Sequence, residues 1–170
     1  MNELVRLVAD WLEDATYGVN AQLALVPRDN GDSQPTSVVI VDETRDPRPG
    51  RGRVPQDDTP VVTVALQAMT HLTETITDDG YLSGEVIVQY AAKNVEAWKA
   101  KRDGNYVLRA VAWSLRRLRR TDANAAGRLR NNVALIGIDP IRFEPWFERV
   151  DDTLIVGTVT VPLTARDFGI

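Results

Sequence analysis

The residues with the clearest chemical potential in this chain are four arginines in the segment 105–120. At a 3.6-residue repeat, they fall together on one arc of a helix: Arg109, Arg116, Arg117 and Arg120. A guanidinium donates charge-assisted, often paired, hydrogen bonds to carboxylates and phosphates. The segment therefore predicts a helix that meets a polar partner. Three interpretations stay open: salt bridges between subunits, a solvated helix face, or contact with DNA. Against contact with DNA, we expect no exposed aromatic platform beside this helix.

A second group of arginines, Arg48, Arg51 and Arg53, lies in the segment 45–58. Prolines and glycines in this segment disfavour a regular helix or strand, and its apolar content is too low for packing. Loops of this length inside a compact domain are usually functional or disordered. We predict a mobile loop that becomes ordered when these arginines bind acidic groups of a partner. An insertion without function is the alternative.

Residue types that commonly build catalytic or metal sites are scarce. His71 is the only histidine and there is no cysteine, which excludes disulfides and metal sites based on histidine clusters or thiolates. Asp78, Asp79 and Gly80 resemble the start of a calcium loop, but later ligands at the required spacing are missing. Motifs of serine hydrolases, phosphate loops and dinucleotide-binding turns are also missing. We therefore expect no catalytic, cofactor or metal site, and a protein that is not an enzyme.

The net charge of −4 conceals a separation of charge along the chain. Residues 1–79 carry 14 acidic residues against six arginines, whereas residues 99–130 carry ten basic residues against two acidic ones. Such a chain can attract copies of itself head to tail, or attract a polyanion to one face. The alternative is that these charges are solvated or pair within the fold.

Apolar periodicity predicts two main helices. The first begins near the start of the chain, and Gly18 is predicted to end it in a left-handed conformation. The second covers 105–120, with Trp113 between its apolar and basic arcs. The apolar stripe of the first helix consists of Leu4, Leu7, Val8, Trp11, Leu12 and Ala15, and that of the second of Val107, Leu108, Val111, Ala112, Leu115 and Leu118.

Strands are predicted where β-branched residues and alternating patterns occur, at about 22–26, 37–41, 133–138 and 154–163. Residues 60–91 predict a long hairpin that turns at Asp78–Gly80. Its outer part, around 68–83, is polar enough to be an extended arm that pairs with a neighbouring subunit, and two edge strands of one sheet are the alternative. The prediction is one α+β domain over 1–170: an antiparallel or mixed β-sheet, two main helices packed on one face, and a long β-hairpin arm.

This order of elements resembles that of the tail terminator and tail-completion (head–tail joining) proteins of long-tailed bacteriophages. The shared order is a leading amphipathic helix, a meander with a long loop, a long hairpin, one central helix and closing strands, and it covers almost the whole chain. The resemblance implies a virion protein, assembled in the host cytoplasm, that forms a ring of commonly six copies at the head-proximal end of the tail. Its implied partners are the chain itself, the tail tube protein and the head connector or stopper protein.

The same resemblance implies that DNA only passes through the channel of the ring and that no membrane is involved. A nucleic-acid-binding accessory protein, acting through the basic face of residues 105–120, is the alternative function. Consistent with both, the sequence has no run of about 18 apolar residues that would predict a membrane-spanning helix.

Overall fold

The computed structural model describes most of the chain, and all structural statements concern that part. Its ranges are 2–29, 31–33, 35–42, 59–72, 80–120, 129–130, 133–138, 141–143, 148–149 and 154–167. The predicted loop at 45–58, its arginines Arg48, Arg51 and Arg53, and the tip of the predicted hairpin at 73–79 lie outside these ranges.

The described ranges contain three helices and eight strands. The helices are α1 (Asn2–Glu13), α2 (Val19–Leu23) and α3 (Ala97–Arg120). The strands are β1 (Val39–Asp42), β2 (Val61–Leu72), β3 (Gly80–Lys93), β4 (Leu129–Arg130), β5 (Val133–Ile138), β6 (Arg142–Phe143), β7 (Glu148–Arg149) and β8 (Leu154–Asp167).

The strands form one mixed sheet around four neighbours in the order β1, β2, β3 and β8. β1 runs parallel to β2, whereas β2 with β3 and β3 with β8 are antiparallel. β5, β6 and β7 pair with successive parts of the other side of β8, and β4 extends the sheet beyond β5. The predicted α+β class, with a mixed sheet that carries helices, is confirmed.

One hydrophobic core fills the space between the helices and one face of the sheet. From the sheet, Val86, Val88 and Tyr90 of β3 contribute alternate residues, as the pattern predicted. The stripes predicted for both helices are buried apart from their margins: Ala15 is exposed, and Leu108 and Ala112 are half-buried. Hydrophobic periodicity therefore located the core correctly.

The turn after α1 differs from the prediction. α1 ends at Glu13, and Gly18 has φ −68° and ψ 173°, which is extended rather than left-handed. The strand predicted at 22–26 is also wrong, because Val19–Leu23 form the short helix α2. Glycine is needed at Gly18 for space: a Cβ there would lie 2.3 Å from the carbonyl oxygen of Asp14.

The long hairpin is confirmed, but its returning strand does not stand off from the core. β3 pairs with β2 as far as Leu72 and Tyr81, and its other side pairs with β8 from Gly80 to Lys93. A strand with partners on both sides is an internal strand of the subunit's own sheet. The arm predicted around 68–83 is therefore wrong for β3. Of its two strands, only β2 lies at an edge of the described sheet there.

Helix α3 begins eight residues before the predicted start at Asn105. The sequence Asp103-Gly104 favours a turn or a helix end, since glycine in a helix interior costs roughly 1 kcal/mol relative to alanine. Burial overrides this local preference: Ala100 and Asp103 are 0% and 1% exposed, so the first turns of the helix are held by tertiary packing.

Candidate functional site

The exposed face of α3 carries the arginines that the sequence predicted as interaction residues. Arg109, Arg116 and Arg117 are exposed, and Arg120 is helical, although its side chain is outside the described part of the structure. Seven residues of helix advance about 10 Å, so Arg109 and Arg116 lie almost in line along the helix. The structure thus exposes three of the four predicted arginines of α3, Arg109, Arg116 and Arg117.

Tryptophans lie beside cations on the same helix. The Trp98 ring is 59% exposed, and the Arg102 guanidinium and the Lys99 ammonium lie 5.5 Å and 5.4 Å from its centroid. The Arg109 guanidinium lies 5.8 Å from the centroid of half-buried Trp113. Each such contact contributes about 0.5–1 kcal/mol at an exposed site. The expectation that no exposed aromatic platform accompanies the basic surface is therefore wrong at Trp98.

Arg102 ties the connection between α2 and β1 to α3. Its guanidinium donates to Asp103 Oδ1, at 3.0 Å from Nε and 2.8 Å from Nη2, and to Asp32 Oδ1 at 2.6 Å from Nη1. Burial disfavours the charged guanidinium, but the hydrogen bond to Asp103 and the charges of both carboxylates raise the Arg102 pKa overall. Part of the basic charge of α3 is thus paired within the fold. This agrees with the alternative that the charges separated along the chain pair with one another inside the subunit.

Tyr106 and Arg28 complete this connection. The Tyr106 hydroxyl donates to Asp32 Oδ2 at 2.8 Å and accepts a hydrogen bond from the backbone N–H of Asp29 at 3.3 Å. The Arg28 guanidinium lies 5.1 Å from the Tyr106 ring centroid and donates to the carbonyl oxygen of Pro35 at 2.6 Å. Charged and aromatic groups therefore hold Arg28, Asp29 and Asp32 against α3.

Two clefts flank this connection. The larger, of about 640 Å³, has a polar lining that includes Ser33, Thr36, Ser37, Asn94 and Lys99. The smaller, of about 370 Å³, opens beside the exposed tryptophan, and it is lined by Pro27, Asp29, Trp98, Lys101, Arg102, Asn105, Tyr106 and Arg109. Hydroxyl, guanidinium and aromatic groups suit recognition of anions and flat rings.

In the described ranges, no group of three or more histidine, aspartate or glutamate residues is arranged to hold a metal ion. The helices in the same ranges also include none that is long and apolar enough to cross a membrane. Among the residues that the structure places, the α3 surface is the strongest candidate for function, because its exposed guanidinium and indole groups can contact anions and flat rings.

Comparison with known proteins adds no assignment. A scan of family models finds no match to this chain, and a search of curated proteins finds none either. The function is accordingly argued from the fold and from the α3 surface.

Alkaline pH is expected to weaken the fold through two tyrosines. Burial and the Asp32 carboxylate raise the pKa of Tyr106, and burial raises that of Tyr90. Because each folded pKa lies above the unfolded value of about 10, the stability that each hydroxyl contributes is complete below about pH 10. It is lost as the pH rises through the folded pKa. We expect the urea midpoint to fall above pH 10, and to fall less steeply in Tyr106→Phe.

The control for this prediction is Tyr17→Phe, which removes an exposed hydroxyl. Urea midpoints measured from pH 8 to pH 11 compare the two variants with the wild type. If Tyr106→Phe and Tyr17→Phe lose stability with equal slopes, Tyr106 does not contribute to the alkaline transition.

Proposed function

We propose that this chain is a structural virion protein that forms a ring at the head-proximal end of a phage tail. In this role it terminates the tail tube and joins the tube to the head connector, and DNA passes through its channel. The observation that carries the proposal is the opposite charge of two helices in one subunit. α3 exposes Arg109 and Arg116, whereas Glu13 and Asp14 are exposed at the end of α1.

Opposite charges at two different places on one subunit favour a head-to-tail contact between copies. A contact of this kind joins different surfaces of the two copies, and it closes into a ring when the rotation between neighbours closes. An exposed ion pair contributes only about 0–1 kcal/mol, so several pairs must act together. Six copies is the number that the resemblance to tail terminator proteins implies.

The fold supports the same proposal. The resemblance rests on element order, and the α+β sheet, the long hairpin and the long helix after it are all present. The arginines Arg48, Arg51 and Arg53 remain predicted contacts to a tail or connector partner, and they lie outside the described residues. Deletion of 45–58, followed by an assay of the joining of heads to tails, tests whether that segment serves head–tail joining.

A second candidate function, binding of nucleic acid, is favoured by the smaller cleft. The exposed Trp98 lines this cleft together with Lys101, Asn105 and Arg109. Single-stranded nucleic acid binds such surfaces by stacking bases on aromatic rings while cations contact phosphates. In this case the same arginines would serve a polyanion rather than a neighbouring subunit.

A charge exchange between two variants tests the ring. Arg109→Glu/Arg116→Glu makes α3 acidic, and Asp10→Lys/Glu13→Lys makes the outer side of α1 basic. Each variant alone presents like charges at every head-to-tail contact, so we expect light scattering at low salt to find rings of the wild type and monomers of each variant. Mixed in equal amounts, the variants restore opposite charges at each contact and should form rings in which they alternate.

The outcomes separate the two functions. Rings of the wild type that are lost in both variants and return on mixing support the head-to-tail assembly. A wild type that stays monomeric under all salt conditions, also with tail tube protein added, would contradict it. If that monomer instead binds an oligothymidylate and Arg109→Glu/Arg116→Glu does not, the nucleic-acid function stands.

A further inference from the structure

One edge of the sheet is open along the outer half of β2. β1 covers β2 only from Val61 to Val64. From Ala65 to Leu72, β3 is the sole partner of β2 among the residues that the structure describes. The backbone N–H and C=O groups on the other side of this stretch are therefore available for another strand.

The opposite edge is open along β5. One side of β5 pairs with β8, and on its other side β4 covers only Val133 and Ala134. Within the described ranges, the outer side of Leu135–Ile138 has no strand partner. As far as the structure describes the chain, the sheet thus has an open strand at each side.

The registers place the two open edges at the same height. His71 of β2 pairs with Leu82, Leu82 pairs with Ala165, and Ala165 pairs with Leu135 of β5. Along this line the strands β2, β3, β8 and β5 alternate in direction, because each successive pair is antiparallel. A β5 strand brought beside β2 by rotation about an axis parallel to the strands would continue the antiparallel pattern.

Neither edge carries the residues that usually prevent strand addition. Lysine, other charged residues and proline commonly protect edge strands, yet 65–72 and 135–138 contain no charged residue and no proline. Each edge strand also has a register shift, between Leu66 and Ala68 in β2 and between Leu135 and Gly137 in β5. Bulges bend a strand and increase its twist, which a sheet needs in order to curve and close.

We propose that the sheet continues from one copy to the next, with the β2 edge of each subunit paired to the β5 edge of its neighbour. The occupant is a second copy because both halves of the pairing are present in one chain, at one height and in compatible directions. This inference rests on the proposed ring and assigns its interface. Each subunit contributes β2, β3, β8 and β5 to a closed sheet, and the charges of α1 and α3 act in the helical layer outside it.

An engineered disulfide tests this pairing. The chain has no cysteine, so His71→Cys/Leu135→Cys introduces the only two thiols. Within one subunit these positions are three strand spacings apart, about 14 Å, whereas a disulfide requires a Cα separation of about 4.4–6.8 Å. A bond between them therefore reports a contact between copies. After mild oxidation, a non-reducing gel should show most of the protein as disulfide-linked oligomers, from the dimer up to the full ring.

A second pair and a control guard against an altered fold and chance contact. Met69 and Ile138 also lie on one line across the sheet, through Gly84 and Leu163, and neither is covered by β1 or β4, so Met69→Cys/Ile138→Cys should cross-link as well. The control is Val39→Cys/Leu135→Cys. Val39 pairs with Val61, and Val61 pairs with Ala91 of β3. Ala91 lies about 30 Å along β3 from Leu82, the β3 residue on the same line across the sheet as Leu135. It should stay monomeric on the gel.

If light scattering detects rings but neither cysteine pair cross-links, this interface is overturned and the proposed function is left intact. Equal cross-linking of the Val39 control would overturn it too, because the bonds would then report random collision. If no variant and no wild-type sample assembles at all, the interface and the proposed function both fail.

Discussion

The variant Gly157→Ala is expected to lose about 1–3 kcal/mol of folding free energy through overpacking. Gly157 is the register partner of Tyr90 across the β3–β8 ladder. A Cβ at Gly157 would lie 2.2 Å from both Cζ and the hydroxyl oxygen of Tyr90. The Tyr90 ring is 1% exposed and among the largest fully buried side chains, so it has little room to move away. The added methyl must shift the ring or the strand.

A double-mutant cycle isolates this contact. Tyr90→Leu removes the ring that occupies the space above Gly157, and it has its own cost as a smaller core residue. In that background the further change Gly157→Ala should cost much less than in the wild type. Urea unfolding of the four proteins gives the coupling energy. An equal cost of Gly157→Ala in both backgrounds would show that the ring does not limit the space at this position.

The parts of the fold that were predictable are those fixed by local periodicity. The stripe of α1 and the alternation of β2 and β3 appear directly in the sequence, because each element buries one face. α2 was missed because it is only five residues long and because its N-cap residue, Gly18, has no side chain that could mark the start of a helix. Its helix depends on packing between α1 and α3, which no local pattern records.

The parallel pairing of β1 with β2 was also missed, although a signal existed. A meander of antiparallel strands was expected there, but the segment between Asp42 and Val61 is longer than a hairpin needs. Parallel neighbours require a crossover of roughly a dozen residues or more, and this connection is long enough. Its length therefore favoured a parallel pair, independently of its composition.

The candidate surface was half predictable for a similar reason. The arc of Arg109 and Arg116 follows from helical spacing, and extension of the same line backwards reaches Arg102 and Trp98 at i−7 and i−11. The pairing of Arg102 with Asp32 joins residues 70 positions apart. Only the fold reveals that this guanidinium is already paired.

The sheet edges and the helical charges would contribute differently to assembly. Backbone pairing between edges fixes the register of neighbours but distinguishes poorly between partners. Opposite charges on α1 and α3 increase the rate of encounter and select the partner, at an affinity that falls with salt. We therefore expect the charge variants to change assembly mainly at low salt, and the edge to determine how long the ring persists.

The largest loss of stability is expected for Trp11→Ala, at about 3–5 kcal/mol. Trp11 of α1 is 7% exposed, and its Nε1 donates to the backbone carbonyl oxygen of Ser114 in α3 at 3.0 Å. Its ring stacks on Tyr17 with centroids 5.6 Å apart and an interplanar angle of 8°. The alanine variant loses the buried ring, the stack and the hydrogen bond to Ser114 at once.

Trp11→Phe separates packing from hydrogen bonding, because it keeps an aromatic ring but removes the donor. We expect a loss of about 1–2 kcal/mol, which corresponds to one buried hydrogen bond and a smaller ring. Tyr17→Leu is the matched control for the stack, since it leaves the Trp11–Ser114 bond in place, and it should cost less than Trp11→Phe. Urea midpoints rank the three variants. If Trp11→Phe is as stable as the wild type, the hydrogen bond to Ser114 contributes nothing and α1 is held on α3 by apolar contact alone.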